Sequence, residues 1–287
     1  MTARITGRRR GAPRRARNPA RKPTMRGLCW PGGKSPYRLG RWVASLLPDA
    51  VAERQAYIEP YAGMLGVLLS RPPAFLEMVN DSDQRVVNWW KVVRDHHDEL
   101  KRLLRRQPYS SKVLHDEALH DADHHPDPIR RALALTVVMT TANRPDSGWR
   151  GAYTPTARPN RVTEEIFDLL ADRMRMVQLY CGDAVALLER AEKVAQAVLF
   201  VDPPYPSTSK ATRPYAENDV DVPRLAATLR RQKGRVALSG YNTDPWSRLL
   251  PGWRREQKPV RATLGGGAGV TRTACLWMNY GLDGQRL

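Results

Sequence analysis

Acids delivered at the ends of apolar runs carry the chemistry this sequence could do, and Asp202 is the most telling of them. Val198-Leu199-Phe200-Val201 runs straight into Asp202-Pro203-Pro204-Tyr205. The apolar run predicts a buried parallel strand, and the prolines cannot extend it, because proline lacks an amide donor and holds its φ fixed. The chain has to turn out at the strand's carboxyl end, where open α/β sheets hold their ligands. The turn offers an acceptor at Asp202, a stiff backbone at Pro203 and Pro204, and a flat ring at Tyr205. A carboxylate and a proline-fixed carbonyl can accept both hydrogens of an exocyclic amine while the ring stacks on a base taken out of its helix. The same residues also fit a plain strand with a proline turn and a surface Tyr, so the rest of the chain must decide.

Two further acids follow the same pattern. Tyr57-Ile58-Glu59-Pro60-Tyr61-Ala62-Gly63-Met64-Leu65-Gly66 predicts a short strand, a tight glycine turn and a helix through Val67-Leu68-Leu69. Gly63 allows a ligand close to the backbone, and the turn amides can face a carboxylate or a ribose. Phe75–Val79 predicts a second strand, ended by Asn80-Asp81, and an acid at that tip can hold a ribose diol. Asp183 stands at another strand-to-helix junction, where it either meets the adenine amine of a cofactor or caps the helix. Ahead of all these, Trp30-Pro31-Gly32-Gly33-Lys34-Ser35 feeds a helix bearing Leu39, Trp42, Val43, Leu46 and Leu47, a cradle for an anion or carboxylate. A nucleotide phosphate loop would need Gly where Leu28 stands, and a strand before it.

The remaining elements must position these groups. One helix is expected with Val86, Trp90, Val93, Leu100 and Leu104 on one face. Residues 108–128 are polar, with His115, His120, His124 and His125 at irregular spacing and no Cys among them, which predicts a solvated loop or helix face before a metal site. Ile129–Ala142 predicts a buried helix. Residues 143–161 interleave Arg144, Arg150, Arg158 and Arg161 with Trp149 and Tyr153, which suits phosphate contact with base stacking or wedging, or an ordinary surface loop. Helices are expected over Glu164–Met176, on to Leu188 and around Leu225–Leu229, with a strand over Arg235–Tyr241. The end predicts an antiparallel pair, 253–263 and 273–280, joined by Gly265-Gly266-Gly267.

The chain has 287 residues and a formal net charge of +18. Half of that excess lies in residues 1–24, where eight Arg and one Lys meet no acid. The rest is still basic, which suits a polyanionic partner, though an Arg-rich genome would give the same bias. The tail is expected to be disordered and able to bind phosphates; it lacks the apolar region of a secretory signal, and Met25 could be the true start. No apolar run is long enough to span a membrane. Three cysteines, Cys29, Cys181 and Cys275, are too few and scattered for a disulfide framework or zinc site, which predicts a cytoplasmic protein.

Together the motifs resemble the Dam-like, D12-class adenine-specific DNA methyltransferases of phages and bacteria. The resemblance rests on Trp30-Pro31-Gly32-Gly33-Lys34, Tyr57 to Gly63, Val79-Asn80-Asp81, Asp202-Pro203-Pro204-Tyr205, Leu238-Ser239-Gly240-Tyr241 and Leu276-Trp277-Met278-Asn279, in the family's order. It implies an α/β, Rossmann-like S-adenosylmethionine-dependent methyltransferase sheet with a helical target-recognition insertion. The catalytic unit would be 25–107 with 162–287, the insertion 108–161, and 1–24 a basic tail. Cofactor contacts are implied for Trp30, Gly32, Gly33, Lys34, Glu59, Tyr61, Gly63, Asp81, Asp183 and Asp202, and catalysis for Asp202 to Tyr205. The implied partner is double-stranded DNA, met by a monomer at the nucleoid, with no metal. Bulky Met64 departs from the family's small residues.

A C5-cytosine enzyme would need a nucleophilic Cys after a proline, and none of the three cysteines follows one. N4-cytosine enzymes usually carry Ser in place of the acid, so Asp202 favours adenine. Rival readings are an RNA N6-adenine methyltransferase and a catalytically silent DNA-binding relative.

Overall fold

A computed structural model describes residues 39–50, 54–107, 111–141, 164–204, 220–242, 244–262, 270–281 and 283–287. The apolar runs form strands β1 (Ala56–Glu59), β2 (Leu76–Asp81), β3 (Val177–Cys181), β4 (Ala197–Val201) and β5 (Arg235–Tyr241). The C-terminal strands are β6 (Arg254–Ala262) and β7 (Val270–Met278). The sheet runs β3-β2-β1-β4-β5-β7-β6. It is parallel from β3 to β5, and β7 is antiparallel to both β5 and β6. Chain order reverses between β1 and β4: β2 and β3 build outward on one side, β5 on the other. The carboxyl ends of β1 and β4 therefore flank the switch point, where an open sheet leaves a crevice.

All five residues of β4 are buried, as a strand covered on both faces requires. Because side chains alternate along a strand, β4 feeds two cores. Val198 and Phe200 join the core shared by α1 (Leu39–Leu46), α2 (Gln84–Asp95), α3 (His97–Leu104), α5 (Pro128–Thr141) and α6 (Glu164–Met174). Ala197, Leu199 and Val201 join the core under α7 (Ala184–Ala191), α8 (Val222–Arg231) and α9 (Trp246–Leu249). This is the α/β, Rossmann-like methyltransferase architecture that the motifs imply.

The structure departs from the sequence reading in several elements. The helix expected through Leu69 is a single 3-10 turn, Leu68–Ser70. Arg71-Pro72-Pro73 follows at once, and the prolines cannot continue a helix. The one helix expected from Val86 to Leu104 is two, broken where His96 leaves the helical region at φ −137° and ψ 28°. Leu100 and Leu104 remain buried in the same core across the break. Of the two readings of the polar stretch after residue 108, the helix is the one found: α4 (Lys112–His124), begun by Ser111, whose Oγ accepts the Leu114 N–H at 3.1 Å. α5 is the expected buried helix, rooted on α2 by the Trp89 indole donating to Thr136 Oγ1 at 2.9 Å. The antiparallel pair forms as expected, while α9 was not foreseen. Among the described residues no helix is long and apolar enough to cross a membrane.

Candidate cofactor and catalytic site

The glycine turn after β1 is held from both sides. Gly63 takes φ +46°, which a Cβ would disfavour. Its N–H donates to Asp81 Oδ2 at 2.8 Å, and its carbonyl accepts from the Trp90 indole at 2.8 Å. Asp81 Oδ1 accepts the Asp83 N–H at 3.0 Å. Beside it, the Asn80 amide donates to the carbonyls of Pro60 (2.9 Å) and Gly182 (3.0 Å), tying the ends of β1, β2 and β3 together. Burial pushes the Asp81 carboxyl above its usual range, against the opposing pull of the Asp83 and Gly63 amides.

These groups fit the ribose end of a nucleoside cofactor. A carboxylate has about four lone-pair sites; the Gly63 and Asp83 amides take two and the Ser82 amide also bears on the group, which leaves acceptor capacity for a ribose hydroxyl. A Cβ on Gly182 would meet nothing within 4 Å, so the end of β3 is open. The sequence marks Trp90 only as a core residue; its role as a clamp on Gly63 has no signal there beyond an indole donor that needs a partner when buried.

Glu59 is deeper than a ligand contact requires. It is 1% exposed, and its Oε1 accepts from the Tyr57 hydroxyl (2.5 Å) and the Leu68 N–H (2.7 Å). The Arg71 guanidinium lies 4.1 Å from the centre of the Tyr57 ring. Burial pushes the Glu59 carboxyl up to about 8; the Asp202 charge adds to the rise, while Tyr57, Leu68 and Arg71 oppose it. Glu59 therefore ties β1 to the 3-10 turn and stands within electrostatic reach of Asp202. Met64 and Leu65 point into the core, 6% and 1% exposed.

At the third junction, both accounts of Asp183 bear on one side chain. Its Oδ1 caps α7 by accepting the Val185 N–H at 2.9 Å, and its Oδ2 accepts from Arg224 Nη1 at 3.0 Å. Arg224, in the first turn of α8, also reaches Glu189 of α7. Burial raises the Tyr61 phenol pKa, with the Asp183 charge adding to the rise and Arg224 opposing it, so all three stand close together. Asp202 leaves β4 directly after Val201, which is registered on Leu238 of β5, so Ser239-Gly240-Tyr241 runs beside it. Asp202 is half-buried and Pro203 buried. Asp81, Asp183 and Asp202 thus share the carboxyl end of one sheet, with Glu59 beneath.

The comparisons with known proteins decide the family. A model of the D12 class N6 adenine-specific DNA methyltransferases matches residues 30–233, more than half of the chain. The chain belongs to that family. Such a methyltransferase takes its methyl group from S-adenosylmethionine. No curated protein matches the chain. Among solved structures, it is similar to a SAM-dependent methyltransferase from Agrobacterium tumefaciens, at 11% identity and a TM-score of 0.37, covering 83% of this chain and 58% of that one. It is also similar to precorrin-6y C5,15-methyltransferase from Geobacter metallireducens GS-15, at 10% identity and a TM-score of 0.36, covering 91% of this chain and 100% of that one. TM-scores this low carry no weight for substrate or site.

Several residues expected to serve such a D12-class enzyme lie outside the described residues: Trp30, Gly32, Gly33, Lys34, Tyr205, Arg144, Trp149, Arg150, Tyr153, Arg158 and Arg161, with the tail 1–24. The histidines of α4 do not gather around a common point. His115 is fully buried, while His120 and His124 stack on the exposed side with ring centres 4.7 Å apart. Among the described residues the one grouping with metal-ligand spacing is His97, Asp98 and Asp168. There Lys101 supplies the cation itself, its ammonium donating to Asp168 and lying 2.8 Å from Asp98.

Proposed function

We propose that this protein methylates the N6 amine of adenine in double-stranded DNA, taking the base out of the helix and transferring the methyl group directly. The observation that carries the reading is Asp202-Pro203-Pro204 at the carboxyl end of β4, beside the switch point and in line with Asp81 and Asp183. Asp81 holds the ribose of the cofactor, and Asp183 and Tyr61 border its adenine. S-adenosylmethionine, when bound, supplies an electrophilic methyl group on a sulfonium centre.

The chain's own part is to make a poor nucleophile better. The lone pair of an adenine amine is conjugated into its ring. With its hydrogens accepted by Asp202 and the Pro203 carbonyl, the nitrogen is drawn toward a tetrahedral, more nucleophilic state. The nitrogen would accept the methyl as the methyl–sulfur bond breaks and its electron pair stays on the thioether sulfur, and Asp202 is set to receive the proton the nitrogen gives up. Tyr205 holds the extruded base by stacking. The helical insertion and the 143–161 segment, with Arg144, Trp149, Arg150, Tyr153 and Arg158, are the proposed recognition surface, and the protein works as a monomer at the nucleoid.

The test uses duplex DNA, methyl-labelled S-adenosylmethionine and chromatography of the digested nucleosides. The wild type should yield N6-methyladenine, and Asp202→Ala should yield none while folding normally. Label in N4-methylcytosine, or transfer to structured RNA alone, would overturn the assignment.

A further inference from the structure

The C-terminal strand pair reaches beyond the sheet on the same side as the candidate site. β5 pairs with β7 as far as Tyr241 opposite Ala274. β6 and β7 continue pairing with each other through Pro259 with Thr273, Val260 with Arg272, Arg261 with Thr271 and Ala262 with Val270. Four further residue pairs extend a ribbon by about 13 Å at the usual strand rise. β7 runs antiparallel to β5, so the projecting end lies at the carboxyl end of β5, the end where Asp202 leaves β4. The helical insertion grows from the β2–β3 side of the sheet, and this ribbon stands on the opposite edge.

The ribbon is strongly basic. Its paired strands carry Arg254, Arg255, Lys258, Arg261 and Arg272 against the single acid Glu256. Glu256 is taken up by Arg254 at 2.5 Å, at the far end from the projecting tip. Among the described residues Lys258 and Arg272 form no ion pair. Each instead lies over a ring: Lys258 Nζ is 5.8 Å from the centre of Trp42, and the Arg272 guanidinium is 5.1 Å from that of Tyr241. Alternation along the strands puts Lys258, Arg272 and Tyr241 on the sheet face that α1 covers. Rings beneath the cations hold them in place without neutralising their charge.

We propose that the β6–β7 ribbon is a phosphate-gripping arm that holds duplex DNA on the side of the flipped base opposite the helical insertion. The proposal rests on the DNA-methyltransferase reading and extends it: Lys258 and Arg272 contact backbone phosphates and read no bases. Extruding a base strains the duplex on both flanks, and the charge needed to hold the second flank is present here, at the same end of the sheet as Asp202 with only β5 between β4 and β7.

The full chain should be titrated with duplex DNA at several salt concentrations, alongside two double variants. Lys258→Gln/Arg272→Gln should bind about tenfold more weakly, with the slope of log affinity against log salt reduced by about 1 to 2. Its S-adenosylmethionine affinity and the sequence it methylates should match wild type. Lys258→Arg/Arg272→Lys keeps the charges and should keep the affinity. Wild-type affinity and salt slope in the glutamine variant would overturn the proposal, as would an equal loss in both variants. Methyl transfer by the wild type, measured on the same preparation, tests the parent reading separately. Its absence would overturn both; its presence with unchanged binding by the glutamine variant would overturn the arm alone.

Discussion

Leu65 occupies a backbone conformation that suits glycine, at φ +51°, yet its side chain is almost wholly buried. Left-handed backbone costs a non-glycine residue roughly 1–2 kcal/mol, and losing a buried Leu side chain costs about 2–5 kcal/mol. Leu65→Ala keeps the strain and loses the packing, whereas Leu65→Gly loses the packing and relieves the strain. Urea unfolding should therefore find the Gly variant at least as stable as the Ala variant, the reverse of the order at ordinary helix and strand positions. A Gly variant clearly weaker than Ala would contradict the conformation.

Asp81 holds the turn, and under the proposed function it also holds the cofactor ribose. Asp81→Ala orphans the Gly63 and Asp83 amides, which should cost about 1–3 kcal/mol in stability, and it should also weaken S-adenosylmethionine binding in calorimetry. Lost affinity with unchanged stability would deny the structural half of that role. Glu59 gives a pH signature. Its carboxyl sits near 8 in the folded chain against an ordinary 4.5, so the unfolded chain releases that proton first. Its effect on stability is absent below about pH 4.5, grows unfavourable as pH rises toward 8, and is constant above. Glu59→Gln, a neutral stand-in that still accepts from Tyr57 and Leu68, should flatten the decline between those limits. Parallel stability–pH curves for the two proteins would show that Glu59 is not the group responsible.

At the scale of elements, a buried ion pair fastens the exit of the helical insertion. Arg173 of α6 donates through both Nη atoms to the Glu77 carboxylate of β2, at 2.5 and 2.7 Å, and also to the Leu68 carbonyl at 3.1 Å. Arg173→Met leaves Glu77 buried and unpaired, and should cost about 3–5 kcal/mol by urea denaturation. Adding Glu77→Gln should recover much of that loss, and no recovery would mean the two do not act as a pair. Much at this scale was legible beforehand. The apolar run ended by Asp202 foretold β4, because a strand covered on both faces leaves a continuous apolar signature, whereas β2 and β3 were marked by shorter mixed runs ending near Asp81 and Asp183. The break at His96 was not legible, since neither Gly nor Pro marks it and the apolar spacing runs through it. α4 is stabilised by one serine cap and a narrow buried side of His115, Ala118 and Ala122, too little apolar periodicity to distinguish it from a solvated loop. The 3-10 turn was foreshadowed by Pro72 and Pro73. Asp183 as a helix cap was one of two accounts the sequence allowed, and the Arg224 partner, 41 residues away, left no local trace.

Across the whole molecule, charge and topology point the same way. The sheet gathers three strand-end acids at one end, while the chain as a whole carries +18. A net positive charge of this size favours a polyanionic partner, and Asp81, Asp183 and Asp202 gather at one end of the sheet. The exposed side of α4 is itself acidic, with Asp116, Glu117 and Asp123 exposed, so within the proposed recognition insertion phosphate contact would fall to the arginines of residues 143–161. The most direct measurement is modified-base sequencing of DNA from cells expressing the wild type and, separately, Asp202→Ala. N6-methyladenine should be found at one recurring sequence with the wild type and at none with the variant. An unmodified genome in the presence of folded, S-adenosylmethionine-binding wild-type protein, or the same methylation with both proteins, would contradict the assignment of Asp202 to adenine methylation in DNA.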